Sequence, residues 1–183
     1  MIDRLCIIGV GLIGGSLARI ARRSGLCRRI VGMDADPANL QRALALGVLD
    51  QGFGDVAEAA RKADVVLIAV PVRATEAVLT ALKPVWNPLA VYTDAGSTKV
   101  NVVQAAQRVF GQVPPNFVPG HPIAGAEHSG VDSADAGLYR CKRVILTPTA
   151  QTSPGALKRV IELWRGAGAE VAEMEPDRHD QVL

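Results

Sequence analysis

Cysteine is scarce. Cys6, Cys27 and Cys141 are scattered over 183 residues, and an odd number so far apart supports neither a disulfide framework nor zinc-ligand spacing. Aromatic residues make up only 4% of the chain while hydrophobic residues make up 49%, so the core must be aliphatic. No charge of one sign dominates: 20 Lys and Arg face 18 Asp and Glu, for a net charge of +2. The basic residues form no stripe or cluster, which excludes the electrostatic footprint of a nucleic-acid or membrane-surface binder. No apolar run approaches the roughly 20 residues that span a bilayer, and the first residues lack the charged-then-apolar order of a secretory signal. What these absences leave is a cytoplasmic domain with a small-molecule partner, long enough to bury a substantial core.

The first sixteen residues are the richest in information about a cofactor. Leu5 to Ile8 form a short apolar run without alternation, as in a parallel strand buried on both faces. Gly9-Val10-Gly11-Leu12-Ile13-Gly14 follows at once, and helical spacing continues from Ser16 to Arg23. In such a strand-turn-helix, Gly9 makes the tight turn, Gly11 lets backbone approach a pyrophosphate, and Gly14 lets helix and strand pack closely. The pyrophosphate would rest on the opening helical amides, around Leu12 and Ile13, at the positive end of the dipole. A second strand, Ile30 to Met33, ends in Asp34, twenty residues after Gly14. A carboxylate there accepts from both ribose hydroxyls and repels a ribose phosphate. Helix capping is the other use for Asp34, but Asp36 before Pro37 fills that role better. Ala35 offers no phosphate partner, and Arg28 and Arg29 lie before the strand, so the cofactor is read as NAD rather than NADP.

Strands and helices alternate along the rest of the chain with short connections. This predicts an α/β, Rossmann-type fold: a doubly wound, mainly parallel sheet with helices on both faces. In such sheets ligands collect beyond the carboxyl ends of the strands. The glycine turn, Asp34, the Val70-Pro71 turn and the Asp94-Ala95-Gly96-Ser97-Thr98-Lys99 loop should meet there. Ser97 or Thr98 is expected to cap the following helix. Lys99 reads as a solvated first-turn lysine or, since the dipole disfavours it there, as a contact to an anionic ligand.

A third element at that edge is His121-Pro122-Ile123-Ala124-Gly125-Ala126-Glu127-His128-Ser129-Gly130. Pro122 cannot donate to a ladder, and Gly120 just before the stretch with Gly125 and Gly130 inside it allow backbone conformations closed to other residues, so His121 is expected in a rigid loop, held for a partner. The chain ends on a helix start at Pro176-Asp177 followed by His179 and apolar Val182-Leu183. A helix of two turns is not stable alone. The expected organisation is a cofactor domain over residues 1–176, with residues 177–183 opening a second, helical domain.

Together these residues resemble the nucleotide-binding domain of the prephenate/arogenate (cyclohexadienyl) dehydrogenases of tyrosine biosynthesis. The resemblance runs from Gly9 through Asp34, Asp94 to Lys99, His121 to Gly130, Val144 to Pro148 and His179-Asp180, nearly the whole chain. Ala126 stands where that family commonly has a hydroxyl residue and His128 where it commonly has lysine. The resemblance implies NAD-dependent oxidative decarboxylation of prephenate or arogenate. In it His121 is the catalytic base, Ser97 bonds the ring hydroxyl and orients the histidine, and Thr98, Gly125, Glu127 and Ser129 lie near the substrate. It also implies a helical C-terminal domain that builds a homodimer and supplies further substrate contacts, without which residues 1–183 bind NAD but turn over little. Two other readings use the same fingerprint: a β-hydroxyacid-type NAD-dependent dehydrogenase, and a non-enzymatic dinucleotide-sensing domain.

Overall fold

The computed structural model describes residues 1–125 and 129–183. In chain order the elements are β1 (Ile2–Ile8), α1 (Leu12–Arg23), β2 (Cys27–Met33), α2 (Pro37–Ala45), β3 (Gln51–Phe53), α3 (Val56–Ala60), β4 (Val65–Ile68), α4 (Thr75–Leu82), β5 (Val91–Asp94), α5 (Val100–Phe110) and β6 (Phe117–Val118). There follow β7 (Gly120–Pro122), β8 (Arg143–Leu146), α6 (Pro154–Gly166), β9 (Glu170–Glu173) and α7 (Pro176–Val182).

Six strands form one sheet in the order β3-β2-β1-β4-β5-β6, every pair parallel. The order reverses between β1 and β4, which opens the crevice where dinucleotides bind in doubly wound folds. Alternation along β1 sends its side chains to opposite faces. Leu5 and Ile7 pack with residues of α1, α2 and α6, whereas Cys6 and Ile8 pack with residues of α3, α4 and α5. The expected layers are therefore present. Cys6 behaves as a small hydrophobe, its thiol pushed up to about 12 by burial.

Local chemistry sets the start of α2 where the sequence placed it. Asp36 caps α2 by accepting from the Ala38 amide, with Pro37 in the first turn. Ser153 does the same for α6 through Ala156, ahead of Pro154. The second strand begins earlier than expected, at Cys27, so Arg28 and Arg29 lie inside β2. They remain at the end remote from Asp34.

The last three strands form a second sheet, β7-β8-β9, antiparallel between β7 and β8 and parallel between β8 and β9. This corrects the reading of His121 as a loop residue: it lies in β7, opposite Ile145. The Pro119 carbonyl accepts from Thr147, and the Ile123 amide donates to Arg143. By the alternation of an antiparallel ladder the bonded positions are 119, 121 and 123. Pro122 therefore falls where no amide proton is needed, on an edge strand that tolerates it. No helix among the described residues is long and apolar enough to cross a membrane.

Candidate active site

Beyond the carboxyl end of β1 the chain turns through Gly9, whose φ of +92° suits glycine. A Cβ on Gly9 would strike the Ala69 carbonyl and come within 3.2 Å of Val70 Cγ1, and one on Gly14 would strike the Gly9 carbonyl. Those two glycines are explained by packing within the protein. Gly11 is not: among the described residues a Cβ there would meet nothing within 4 Å, and φ is −89°. The open space over Gly11 adjoins the start of α1, which has neither a side-chain cap nor an acidic residue in its first turn. Uncapped amides and a backbone left bare toward open space fit an incoming pyrophosphate.

The contrast between the glycines is testable. Gly14→Ala should cost about 1–3 kcal/mol of stability through overpacking. Gly11→Ala should fold normally and weaken dinucleotide binding by about tenfold, close to 1.4 kcal/mol. Thermal melts and calorimetric titration read the two effects separately; equal melting losses would refute the distinction.

Asp34 is tied to the turn. Its Oδ2 accepts from the Val10 amide at 2.8 Å and from Asn39 Nδ2 at 2.9 Å, while Oδ1 accepts from the Asp36 amide at 2.8 Å. Asn39 also donates to the Val10 carbonyl and accepts from the Val131 amide. It thereby joins the glycine turn, the acidic residue and the segment after Gly130. Sequence reasoning missed Asn39, since its partners lie up to 92 residues away.

Val70 and Pro71 lie just past β4, between the two loops: Val70 adjoins Gly9, and Val72 Cγ2 would sit 3.1 Å from a Cβ on Gly96. In the Asp94–Lys99 loop the structure overturns two expectations. Lys99 is neither solvated nor a ligand contact; it is fully buried. Its Nζ lies 2.5 Å from Asp94 Oδ2 and donates to the Gly120 carbonyl at 2.7 Å. Nor does Ser97 or Thr98 cap α5. Asp180, on α7, accepts from the amides of Lys99 at 2.7 Å and Val100 at 2.9 Å. Ser97 is exposed, and the Thr98 hydroxyl is buried without a partner among the described residues.

His121 is half-buried, with its Nδ1 2.9 Å from Nε2 of His179. His179 is fully buried on α7 and contacts Asp180 Oδ1 through Nδ1 at 2.7 Å. The helix α7 is thus bonded to β7 and to the start of α5 through His179 and Asp180, while Val182 and Leu183 stay exposed. Gly125 and Ser129 are exposed and lie on either side of residues 126–128, and Glu127 falls outside the described residues. Among the described residues no three His, Cys, Asp or Glu side chains gather to hold a metal ion. A concavity lined by Asp3, Arg4, Arg28, Arg29, Asp50 and Lys62 lies at the opposite, amino-terminal end of the strands.

The electrostatics favour a neutral His121. Burial, then the neighbouring His179 and Lys99, lower its pKa to about 4, against the opposing pull of Asp94 and Asp180. Burial would raise the Asp180 carboxyl, but the Lys99 and Val100 amides and His179 hold it below the usual range. Between pH 6.5 and about 4 the unfolded chain protonates this histidine and the folded one does not. Stability from His121 is therefore present above pH 6.5 and lost as pH falls through that window. A ring-proton titration should give His121 a midpoint near 4; a midpoint at or above 6.5 would refute its burial beside Lys99.

Comparison with known proteins bears on the family and the fold. Residues 17–173 match the family described as "Prephenate dehydrogenase, nucleotide-binding domain". The chain is 37% identical to the cyclohexadienyl dehydrogenase of Zymomonas mobilis, over 98% of this chain and 60% of that protein. It is 36% identical to the prephenate dehydrogenase of Bacillus subtilis, over 100% of this chain and 49% of that protein. It therefore spans only about half to three-fifths of these relatives. Among solved structures, Aquifex aeolicus prephenate dehydrogenase in complex with hydroxyphenyl propionate and NAD+ superposes with a TM-score of 0.92 at 37% identity, covering 100% of this chain and 63% of that one. Fold, glycine turn and matched sequence converge: the chain belongs to the prephenate dehydrogenase family, through its nucleotide-binding domain.

Proposed function

We propose that the protein carrying this chain oxidises prephenate, arogenate or both with NAD, releasing carbon dioxide as the ring becomes aromatic. The observation that carries the proposal is the pairing of a vacant-backbone glycine turn at Gly11 with a neutral histidine, His121, on the same edge of the fold. NAD, when bound, supplies the hydride acceptor. Gly9, Gly11, Leu12, Ile13, Gly14, Val70 and Pro71 would shape its pyrophosphate site, with Asp34 holding the ribose. Asp34 already bonds Val10 and Asn39, so it is fixed before any ligand arrives.

In this reading His121 takes the proton of the ring hydroxyl, which requires the uncharged imidazole that burial favours. Ser97 would bond the same hydroxyl, being exposed and committed to no cap. Thr98, Gly125, Glu127 and Ser129 would border the substrate. Residues 1–176 would form the NAD-binding domain and 177–183 open a helical domain that pairs two copies, in a cytoplasmic enzyme of tyrosine biosynthesis. Support comes from the relatives named prephenate and cyclohexadienyl dehydrogenase and from the Aquifex aeolicus structure holding NAD+.

The test is NAD reduction by the intact protein with prephenate, arogenate and a 3-hydroxy acid. Turnover of either cyclohexadiene acid and none of the 3-hydroxy acid is expected; the reverse would favour the β-hydroxyacid class, and turnover of none a sensing domain. NAD should bind more tightly than NADP, and Asp34→Ser should narrow that gap.

A further inference from the structure

We propose that His179 and Asp180 are positioning residues for His121, fixing its tautomer so that the proton sits on Nδ1 and Nε2 stays bare for the substrate. The catalytic consequence rests on the oxidoreductase reading above; the protonation pattern does not.

The pattern follows from counting donors and acceptors along one chain of contacts. Asp180 can only accept when ionised, and its Oδ1 lies 2.7 Å from His179 Nδ1. The proton of a neutral His179 therefore sits on Nδ1, which makes its Nε2 an acceptor. Nε2 faces His121 Nδ1 at 2.9 Å, so His121 must donate from Nδ1. Its Nε2 has no proton and no partner among the described residues. A bare Nε2 is what a base needs, and the opposite tautomer would aim a proton at the substrate hydroxyl.

The chain is also anchored. The two Asp180 oxygens accept from the Lys99 and Val100 amides, at the start of an eleven-residue helix whose dipole favours a negative charge there. Swinging the carboxylate away would leave both amides unsatisfied. His179, sealed from solvent, meets the His121 ring at a centroid distance of 5.1 Å and 62° between planes, so neither imidazole flips without breaking contact. The other charges facing the pair are Lys99 and Asp94, bonded to each other beneath β7. Orientation by a third group bonded to the base is the arrangement that fixes imidazole tautomers in other hydrolytic and redox sites.

The test uses the intact protein with ring-labelled histidine and long-range proton–nitrogen correlation near neutral pH. In the wild type, His121 should show a protonated Nδ1 and a bare Nε2. In His179→Phe the ring should shift toward the Nε2-protonated form that histidine prefers in water, with kcat lowered about tenfold or more, a part of the effect of losing a general base, and NAD affinity unchanged. His179→Gln, whose carbonyl can accept from His121 Nδ1, should restore much of both signals. A wild-type proton on Nε2 overturns the proposal even if no variant folds, as do unchanged His121 signals in a folded His179→Phe. The correct tautomer in a protein inert toward both acids would instead defeat the functional reading and leave the anchoring chain standing.

Discussion

Replacing His121 with asparagine is expected to lower turnover of prephenate or arogenate by roughly a hundred- to ten-thousand-fold, the range typical of a lost general base. Asparagine keeps a polar side chain on β7 and can donate to His179 Nε2 in place of the imidazole, but it cannot take a proton at neutral pH. NAD affinity should change little, because the glycine turn and Asp34 share no hydrogen bond with His121. Steady-state kinetics with a parallel NAD titration separate the two quantities. A near-normal kcat would show that His121 is a packing residue of the second sheet and no more.

The largest stability effect is expected at Asp94, beneath that histidine. Its carboxylate receives Lys99 Nζ, the Gly96 amide at 2.8 Å and the Gly120 amide at 3.0 Å, and both members of the ion pair are sealed from water. Asp94→Ala strands a buried ammonium, a change that typically costs about 3–5 kcal/mol. For a domain of this size that lowers the melting temperature by roughly 6–20 °C. Burial already pulls the Lys99 ammonium down, and Asp94 is its main counterweight. Without Asp94 the deficit should shrink as pH rises toward the ordinary lysine range, where the unfolded chain also gives up its proton. Lys99→Met should cost less, since the carboxylate keeps two amide donors. Equal losses from the two substitutions would mean that the charges do not dominate this site.

Which parts of this arrangement were legible in advance follows from how far apart the partners lie. The cap at Asp36 acts within two residues of itself, and Gly9 to Gly14 and Asp34 stand at fixed spacings from the ends of the first two strands, so the sequence made them legible. The apolar run Val65 to Val70 reads as a strand because a strand buried on both faces needs an unbroken apolar run, although β4 itself stops at Ile68. Lys99, Asp180, His179 and Asn39 were not legible in that way. Lysine in a first helical turn suggests solvent until Asp94 and Gly120 fold over it, and Asp180 caps a helix that begins 80 residues earlier. The His121 strand was hidden for another reason. Gly120 and Pro122 both argue against a ladder, and only the pairing with Val144 to Leu146 shows that the proline falls at a position needing no donor.

That short strand also restricts how the histidine can move. The chain leaves the parallel sheet at Val118, opposite Thr93, and two residues later is already paired with Leu146 of the second sheet. Side chains on a strand alternate between faces, so sliding β7 along β8 by one residue would turn His121 to the opposite side. Sliding by two would tear Gly120 from Asp94 and Lys99. Intermediate placements do not exist on a ladder. His121 is therefore either in register and aimed at His179 or facing wholly elsewhere, so the site is digital: damage to the second sheet should divide the molecules into competent and incompetent populations instead of slowing all of them by degrees.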